Sequence, residues 1–235
     1  SVHHLAGHIY ANEYVSEFHY PLIALVASGG NSEIVLLKNE LEFEILGETE
    51  DDAIGEAFDK VARELGLPYP GGVMIDKVSQ DSNIKTFKLP YPKVSGYNLS
   101  YSGLKSHLCR LIEKEPKNKE GKLSEETIKT YARSTEEAFV NQLLDKVEKA
   151  ALDYKVKQVV VGGGVSANSY LRSEVKRRFE NRKDLDVVIP PLWCTTDNAA
   201  MIAKVAHHMI KKGLLSPLSV TTEPNRELEN EGKQL

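Results

Sequence analysis

Leu22-Ile23-Ala24-Leu25-Val26-Ala27 is an unbroken apolar run with the length and composition of a buried strand. A tight turn at Ser28-Gly29-Gly30-Asn31 leads into a second apolar run, Glu33–Leu37, and the two predict a β-hairpin. Phe43–Leu46 predicts a third strand, stopped by Gly47. The period then changes. Ala53, Ile54, Ala57, Phe58, Val61 and Leu65 recur at helical spacing within Asp51–Leu65, and Gly66 reads as the stop. Pro68–Gly72 reads as a turn, 85–101 as irregular chain or short strands, and Gly103–Ile112 as a helix. The polar, breaker-rich stretch 113–124 predicts a surface loop, and a long helix runs from about Glu125 to Leu152. Gln158–Val161 is a β-branched strand that enters Gly162-Gly163-Gly164, with a helix from about Ala167. Val187–Ile189 predicts a further strand, 197–212 a last helix and Thr221 onward a polar, mobile tail. Residues 3–15 also look helical. Three antiparallel strands followed by helices and β–α–β–α predict an α/β lobe on a mixed sheet.

Composition narrows the classes. Apolar residues at 41% and charged residues at 27% are those of a globular protein, and 235 residues allow one large domain or two small ones. A net charge of -4 excludes nucleic-acid binding over the whole surface, so RNA contact requires a local basic patch or partner proteins. Cys109 and Cys194 make neither a disulfide framework nor a zinc motif. With no signal peptide and no membrane-spanning apolar run, the expected location is the cytoplasm, with no membrane partner. The chain opens directly on Ser1-Val2-His3-His4, which raises the expectation that a segment precedes it.

Six stretches carry candidate chemistry. His4 and His8 are four apart, so a helix places both imidazoles on one face at the spacing a single metal ion needs, while His3 points elsewhere; a chance pair of histidines is the plain alternative. Leu5 stands where a zincin would carry its glutamate, which argues against a metalloprotease. Gly162-Gly163-Gly164-Val165-Ser166-Ala167-Asn168 joins a buried strand to a helix N-terminus, offering N–H groups and a positive dipole end to an anion; it is neither a G-x-G-x-x-G nor a Walker loop, and a tight packed connection is the alternative. The Ser28–Asn31 turn could admit a ligand to its backbone, or be a hairpin turn and nothing more. Asp51, Asp52, Glu56 and Asp59 load one helix with carboxylates, and dipole compensation accounts for the first two better than for Asp59; Asp76 resembles Asp59. Asp197, in Thr195-Thr196-Asp197-Asn198, either caps the last helix or completes a His-His-Asp metal set with open positions. Arg172, Lys176, Arg177, Arg178, Arg182 and Lys183 form a solvated helix face or a tRNA-backbone contact.

Taken together, His3-His4-Leu5-Ala6-Gly7-His8, Ser28-Gly29-Gly30, Gly55-Glu56-Ala57-Phe58-Asp59-Lys60, Tyr69-Pro70-Gly71-Gly72, Ser102-Gly103-Leu104-Lys105, Gly163-Gly164-Val165-Ser166-Ala167-Asn168 and Cys194–Met201 occur in the order found in TsaD proteins, whose archaeal and eukaryotic counterpart sits in the KEOPS complex. The resemblance runs from residue 3 to about residue 213. It implies an actin-like ATPase (ASKHA) fold of ribonuclease-H-like lobes, with the second lobe complete and the first truncated. Residues 1–20 would be a remnant of the first lobe carrying the metal helix, 21–194 the second lobe with its nucleotide-binding turns, and 195–235 the returning helix and polar tail. It implies His4, His8 and Asp197 as ligands of one divalent ion, iron(II) ahead of zinc. It also implies that Val26, Ala27, Ser28, Gly29, Gly30, Asp59, Gly72, Asp76 and Asn168 line the nucleotide and threonylcarbamoyl pocket, beside Gly163 and Gly164 of the glycine turn.

Three departures from the family pattern bear on these expectations. The upstream Gly-rich phosphate loop and acidic residue of the family's first lobe are not in this sequence, Asn31 stands where many bacterial members carry His, and Glu223-Pro224-Asn225-Arg226 replaces an Arg-Pro-Arg-Trp-like segment. The implied activity is transfer of threonylcarbamoyl from threonylcarbamoyl-AMP to the exocyclic amine of the adenosine 3′ of the anticodon in tRNA, with no residue here an evident general base. The implied partners are tRNA, threonylcarbamoyl-AMP or ATP/AMP, a paralogous TsaB-like subunit and a TsaE-like ATPase. The rival readings are a noncatalytic or split nucleotide-binding subunit of the same complex, a metalloprotease, and a sugar-kinase-like ATPase that leaves the histidine pair unexplained.

Overall fold

The computed structural model describes residues 1–223 and 226–232. A five-stranded sheet carries the fold, in the order β3-β2-β1-β4-β5. β1 (Leu22–Ala27), β2 (Ser32–Asn39) and β3 (Glu42–Glu48) form an antiparallel meander. β4 (Gln158–Gly162) and β5 (Asp186–Val188) extend it in parallel from the other edge of β1. β1 is therefore central and buried along its whole length, which is why its sequence is a continuous apolar run and not an alternating one.

Alternation along the strands divides the core in two. Ile23, Leu25, Ile34, Leu36, Val159 and Val161 face α2 (Ile54–Glu64), α4 (Ser102–Lys114), the long α5 (Glu125–Asp153) and α6 (Ser169–Phe179). Leu22, Ala24, Val26, Val35, Leu37 and Val160 face α1 (His4–Tyr10) and α7 (Ala199–Lys211). His208 fastens α7 down: its imidazole lies between Glu40, at the end of β2, and Glu13, whose carboxylate is 2.6 Å from Nε2.

Several boundaries differ from the sequence expectation. α1 does not run to residue 15 but tightens into a 3₁₀ turn at Ala11–Tyr14, where Asn12 donates to the Val161 carbonyl of β4 at 3.0 Å. Gly47 does not stop β3, because it stays paired with Ile34 and the strand runs on to Glu48. α2 starts at Ile54, so Asp51 and Asp52 stand ahead of the helix and do not compensate its dipole. Asp51 accepts the amides of Tyr101 and Ser102, at 2.8 and 3.1 Å, at the start of α4. Burial opposes charge on Asp52, but hydrogen bonds from Lys105, Lys60 and Ser102 outweigh it and hold the carboxyl well below the usual carboxylate range.

The Pro-Gly-Gly stretch is more than a turn. Gly71 begins a helix, α3 (Gly71–Val78), that the sequence did not signal. After the glycines of β4 the chain makes a 3₁₀ turn, Gly164–Ala167, before α6 starts at Ser169. The tail is not uniformly loose: Leu228 is buried against the sheet face under α1, and Glu231 accepts the His3 amide at 3.0 Å. Pro224 and Asn225 lie outside the described residues.

Candidate metal and nucleotide sites

His3 caps α1, its Nδ1 accepting the Leu5 amide at 3.2 Å while its Nε2 lies 2.7 Å from the Arg226 carbonyl. It thus turns away from His4 and His8, which follow one helical turn apart. Their rings meet edge to face with centroids 4.8 Å apart. Asp197 comes from the segment just before α7, whose N-cap is Asn198, accepting the Met201 amide at 2.9 Å. Neither Thr195 nor Asp197 caps that helix, so the capping alternative for Asp197 is removed. One carboxylate oxygen of Asp197 stands 3.3 Å from His4 Nε2 and 3.2 Å from His8 Nε2.

The three ligand atoms lie within 4.8 Å of one another. The cluster is asymmetric: the His8 side chain is 1% exposed, that of His4 50% and that of Asp197 75%. Burial, and then the neighbouring His4 ring, push the His8 imidazole below its ordinary value against the pull of Asp197. A neutral imidazole is the form that ligates a metal. Two imidazole nitrogens and one carboxylate oxygen suit iron(II) or zinc, and the open side leaves room for further oxygen ligands. The fit is close at the back. A Cβ on Gly162 would sit 2.6 Å from the His8 carbonyl, so only glycine lets α1 rest this tightly on β4. Leu5, the position a zincin gives to its glutamate, is buried in the core.

A second site opens on the sheet's other side. A cavity of about 380 Å³ is lined by Gly29, Asp59, Gly72, Asp76, Gly164 and Asn168, with Phe58, Tyr69 and Leu192 as apolar walls. Of the other expected pocket residues, Val26 and Ala27 are buried within β1, and Ser28 holds the hairpin turn, its Oγ accepting the Asn31 amide at 3.2 Å. Gly30 and Gly163 do not line this cavity. Asp59 accepts the Gly71 amide at 2.7 Å, capping α3. Asp76 accepts the Ser169 amide at 3.1 Å and the Ser169 hydroxyl at the start of α6. Two carboxylates expected for the ligand therefore also lock two helices around it.

Asn168 caps α6, its Oδ1 accepting the Leu171 amide at 2.8 Å. Its Nδ2 donates to Glu136 Oε1 at 2.7 Å. One Asn168 N–H thus remains for a ligand acceptor. Glu136 was missed by sequence reasoning. It lies on the face of α5 that buries Ala132, Phe139, Val140 and Leu143, and a lone acid in that apolar helical row was the available signal. Burial pushes its carboxyl up to about 7. A raised value means that protonated Glu136 stabilises the fold fully below the ordinary 4.5 and that this is lost as pH rises through about 7. Glu136→Gln keeps an acceptor for Asn168, so its stability should match wild type near pH 5 and exceed it by roughly 2–3 kcal/mol near pH 8. Urea unfolding of both proteins across that range reads the difference directly, and parallel stability curves would contradict it.

A larger cavity, about 680 Å³, lies beside the histidines, with His4, Asn31, Glu33, Glu48 and Arg226 on its wall. Four of the six basic residues after the glycine turn already hold acceptors within the protein. Arg172 donates to the Ser166 and Pro190 carbonyls, Arg178 to Asp145 and Asn141, Arg177 to Glu174 and Arg182 to Asp184. Among the described residues no helix is long and apolar enough to cross a membrane.

Residues 1–204 match the family model described as TsaD, tRNA N6-adenosine threonylcarbamoyltransferase. The tRNA N6-adenosine threonylcarbamoyltransferase of Halalkalibacterium halodurans is 42% identical over 98% of the chain, and that of Bacillus subtilis 42% identical over 97%. The chain spans 66% and 65% of the lengths of these two relatives. Among solved structures, full-length HypF in a phosphate- and nucleotide-bound form superposes with a TM-score of 0.67 at 12% identity, covering 91% of this chain and 43% of that one. The T. kodakarensis HypF superposes at 0.66 and 13% identity, covering 91% and 37%. At such identities the likeness is one of fold, and that fold is the mixed α/β architecture of the actin-like ATPases.

Proposed function

This chain belongs to the TsaD family of tRNA N6-adenosine threonylcarbamoyltransferases, and from that premise we propose that it carries the metal- and nucleotide-binding part of a threonylcarbamoyl transfer to tRNA. The observation that carries the proposal is the convergence of His4 and His8 from α1 and Asp197 from the segment before α7 on one point, near the Gly164–Asn168 cavity.

The donor is threonylcarbamoyl-AMP, a mixed anhydride. Its adenylate part occupies the smaller cavity. Phe58, Tyr69 and Leu192 give the base an apolar wall and exclude water, and the remaining Asn168 N–H meets an acceptor on the nucleotide. Asp59 and Asp76 bring negative charge there, which favours ribose hydroxyl donors over phosphate oxygens near them. His4, His8 and Asp197 hold the divalent ion, iron(II) ahead of zinc, and when bound it supplies Lewis-acid and templating chemistry toward the oxygens of the threonylcarbamoyl group.

The acceptor is the exocyclic amine of the adenosine 3′ of the anticodon. Its nitrogen bonds to the carbamoyl carbon, the bond from that carbon to the phosphate oxygen breaks, AMP departs with the electron pair, and the proton the amine loses passes to the departing phosphate or to solvent. The base must leave the stack to reach the site, which an anticodon loop allows at low cost. Holding two reactants in one geometry accounts for most of the rate in this scheme. With a net charge of -4 there is no general pull on RNA, so tRNA is delivered in company: a TsaB-like paralogue and a TsaE-like ATPase are the proposed partners.

The test is a transfer assay. Metal-loaded protein, threonylcarbamoyl-AMP and tRNA, with and without the two partners, should release AMP and yield the modified nucleoside by mass spectrometry. Adenylate binding with no transfer under either condition would favour a noncatalytic nucleotide-binding subunit instead.

A further inference from the structure

The larger cavity has no occupant in the scheme above, yet it is built around an anomaly. Glu33 is 9% exposed, and its Oε2 is buried without a hydrogen-bond partner. Its side of β2 follows from alternation: Val35 and Leu37 lie in the core under α1 and α7, so Glu33 faces the same way and opens on the cavity that His4 also lines. Glu48 is its cross-strand neighbour on β3. A buried acceptor with no donor costs about 1–3 kcal/mol, and more when charged, so such a group calls for a reason. Burial, and then Glu48, push the Glu33 carboxyl up to about 7. A leucine there would fill the space at lower cost to the fold.

What would satisfy Glu33 is a hydrogen-bond donor entering from the cavity. The acidic pair disfavours phosphate and carboxylate, and a volume of about 680 Å³ is ample for a purine base. The hairpin turn links this cavity to the other: Gly29 lines the smaller and Asn31 the larger, two residues apart. A group bound from the smaller cavity and one bound in the larger would thus approach each other at the Gly29–Asn31 turn.

Resting on the functional reading above, we propose that the larger cavity receives the acceptor adenine and that Glu33 Oε2 accepts a hydrogen bond from its exocyclic amine. One N–H held by Glu33 orients the nitrogen toward the carbamoyl carbon and identifies the base as one that bears an amine. Inosine, with a carbonyl at that position, would set oxygen against carboxylate.

The experiment compares two anticodon stem–loop RNAs on the metal-loaded protein together with its TsaB-like and TsaE-like partners, one RNA with adenosine at the acceptor position and one with purine riboside, which lacks only the amine. Wild type should bind the adenosine RNA about tenfold more tightly, the worth of one such hydrogen bond. Glu33→Leu should bring the ratio to about one, and Glu33→Gln, whose amide oxygen still accepts, should retain it. Nucleotide affinity in the smaller cavity and metal content should be unchanged in both variants, and Glu33→Leu should melt no lower than wild type. An equal preference in wild type and Glu33→Leu overturns the proposal, as does wild type binding and modifying the RNA with no preference for the amine. If wild type neither binds RNA nor transfers, the functional reading fails and this inference goes with it.

Discussion

His8→Ala should reduce affinity for iron(II) or zinc by more than the roughly 10–100-fold that loss of a hydrogen-bond partner behind a ligand costs, because it removes a proposed ligand outright. His8 is the buried member of the cluster, and its Nε2 stands 3.2 Å from the Asp197 carboxylate. Its replacement also leaves a void, so the loss of metal must be separated from a loss of fold. Asp197→Ala makes that separation. Its side chain is 75% exposed, and an exposed substitution shifts stability by about 0.5 kcal/mol or less. Elemental analysis after dialysis, with calorimetric titration of metal into both variants, is the measurement. Full metal content in Asp197→Ala, with an unchanged melting curve, would remove the carboxylate from the site and with it the basis for the functional reading.

Gly163→Ala should destabilise the protein by about 3 kcal/mol or more, enough to unfold a marginal domain. Gly163 has φ 88° and ψ 162°, a region essentially closed to residues with a side chain. A Cβ there would also lie 2.3 Å from the Ala27 carbonyl oxygen, at the end of the central strand. Neither partner can yield: Ala27 is locked in the sheet, and the Gly163 carbonyl is held by the Ser166 amide at 2.9 Å and the Ser166 hydroxyl at 2.6 Å. Gly164 provides the contrast. Nothing lies within 4 Å of a Cβ at that position, yet the residue lines the smaller cavity. Gly164→Ala should therefore keep near-normal stability and weaken nucleotide binding. Urea denaturation and nucleotide titration separate the two effects. A Gly163→Ala protein as stable as wild type would show that the strand end relaxes freely, contrary to its hydrogen bonding.

The sheet was largely legible because its strands are written as apolar runs. Leu22–Ala27 reads as buried because it is buried on both faces, and the Gln158–Val161 run, with its β-branched residues, reads the same way for the same reason. The His4–His8 spacing could be seen because one helical turn is a local period. That Asp197 reaches them could not be settled from spacing, since it depends on α7 folding back on α1; the residues left it as an alternative to capping, and the resemblance to a family implied it as a ligand. α3 escaped notice because it is short and begins at consecutive glycines, which propensity assigns to a turn, while the structure anchors it through the Asp59 cap. Glu136 and Glu33 escaped for a different reason. A sequence displays a carboxylate as exposed until the neighbours that bury it are known. Of the acidic partners of the arginines after the glycine turn, Glu174 stands three residues from Arg177 on the same helix, whereas Asp145 becomes a partner of Arg178 only when α5 and α6 pack together.

The uneven burial of the three proposed ligands has a kinetic consequence. Two donors ride on one short helix pressed against the sheet, while the third is an exposed side chain that follows the buried Cys194 and Thr195. An ion held there would meet solvent on the side of Asp197 and His4 and the packed helix on the side of His8. A small chelator should therefore draw it out from the solvent side while the protein stays folded.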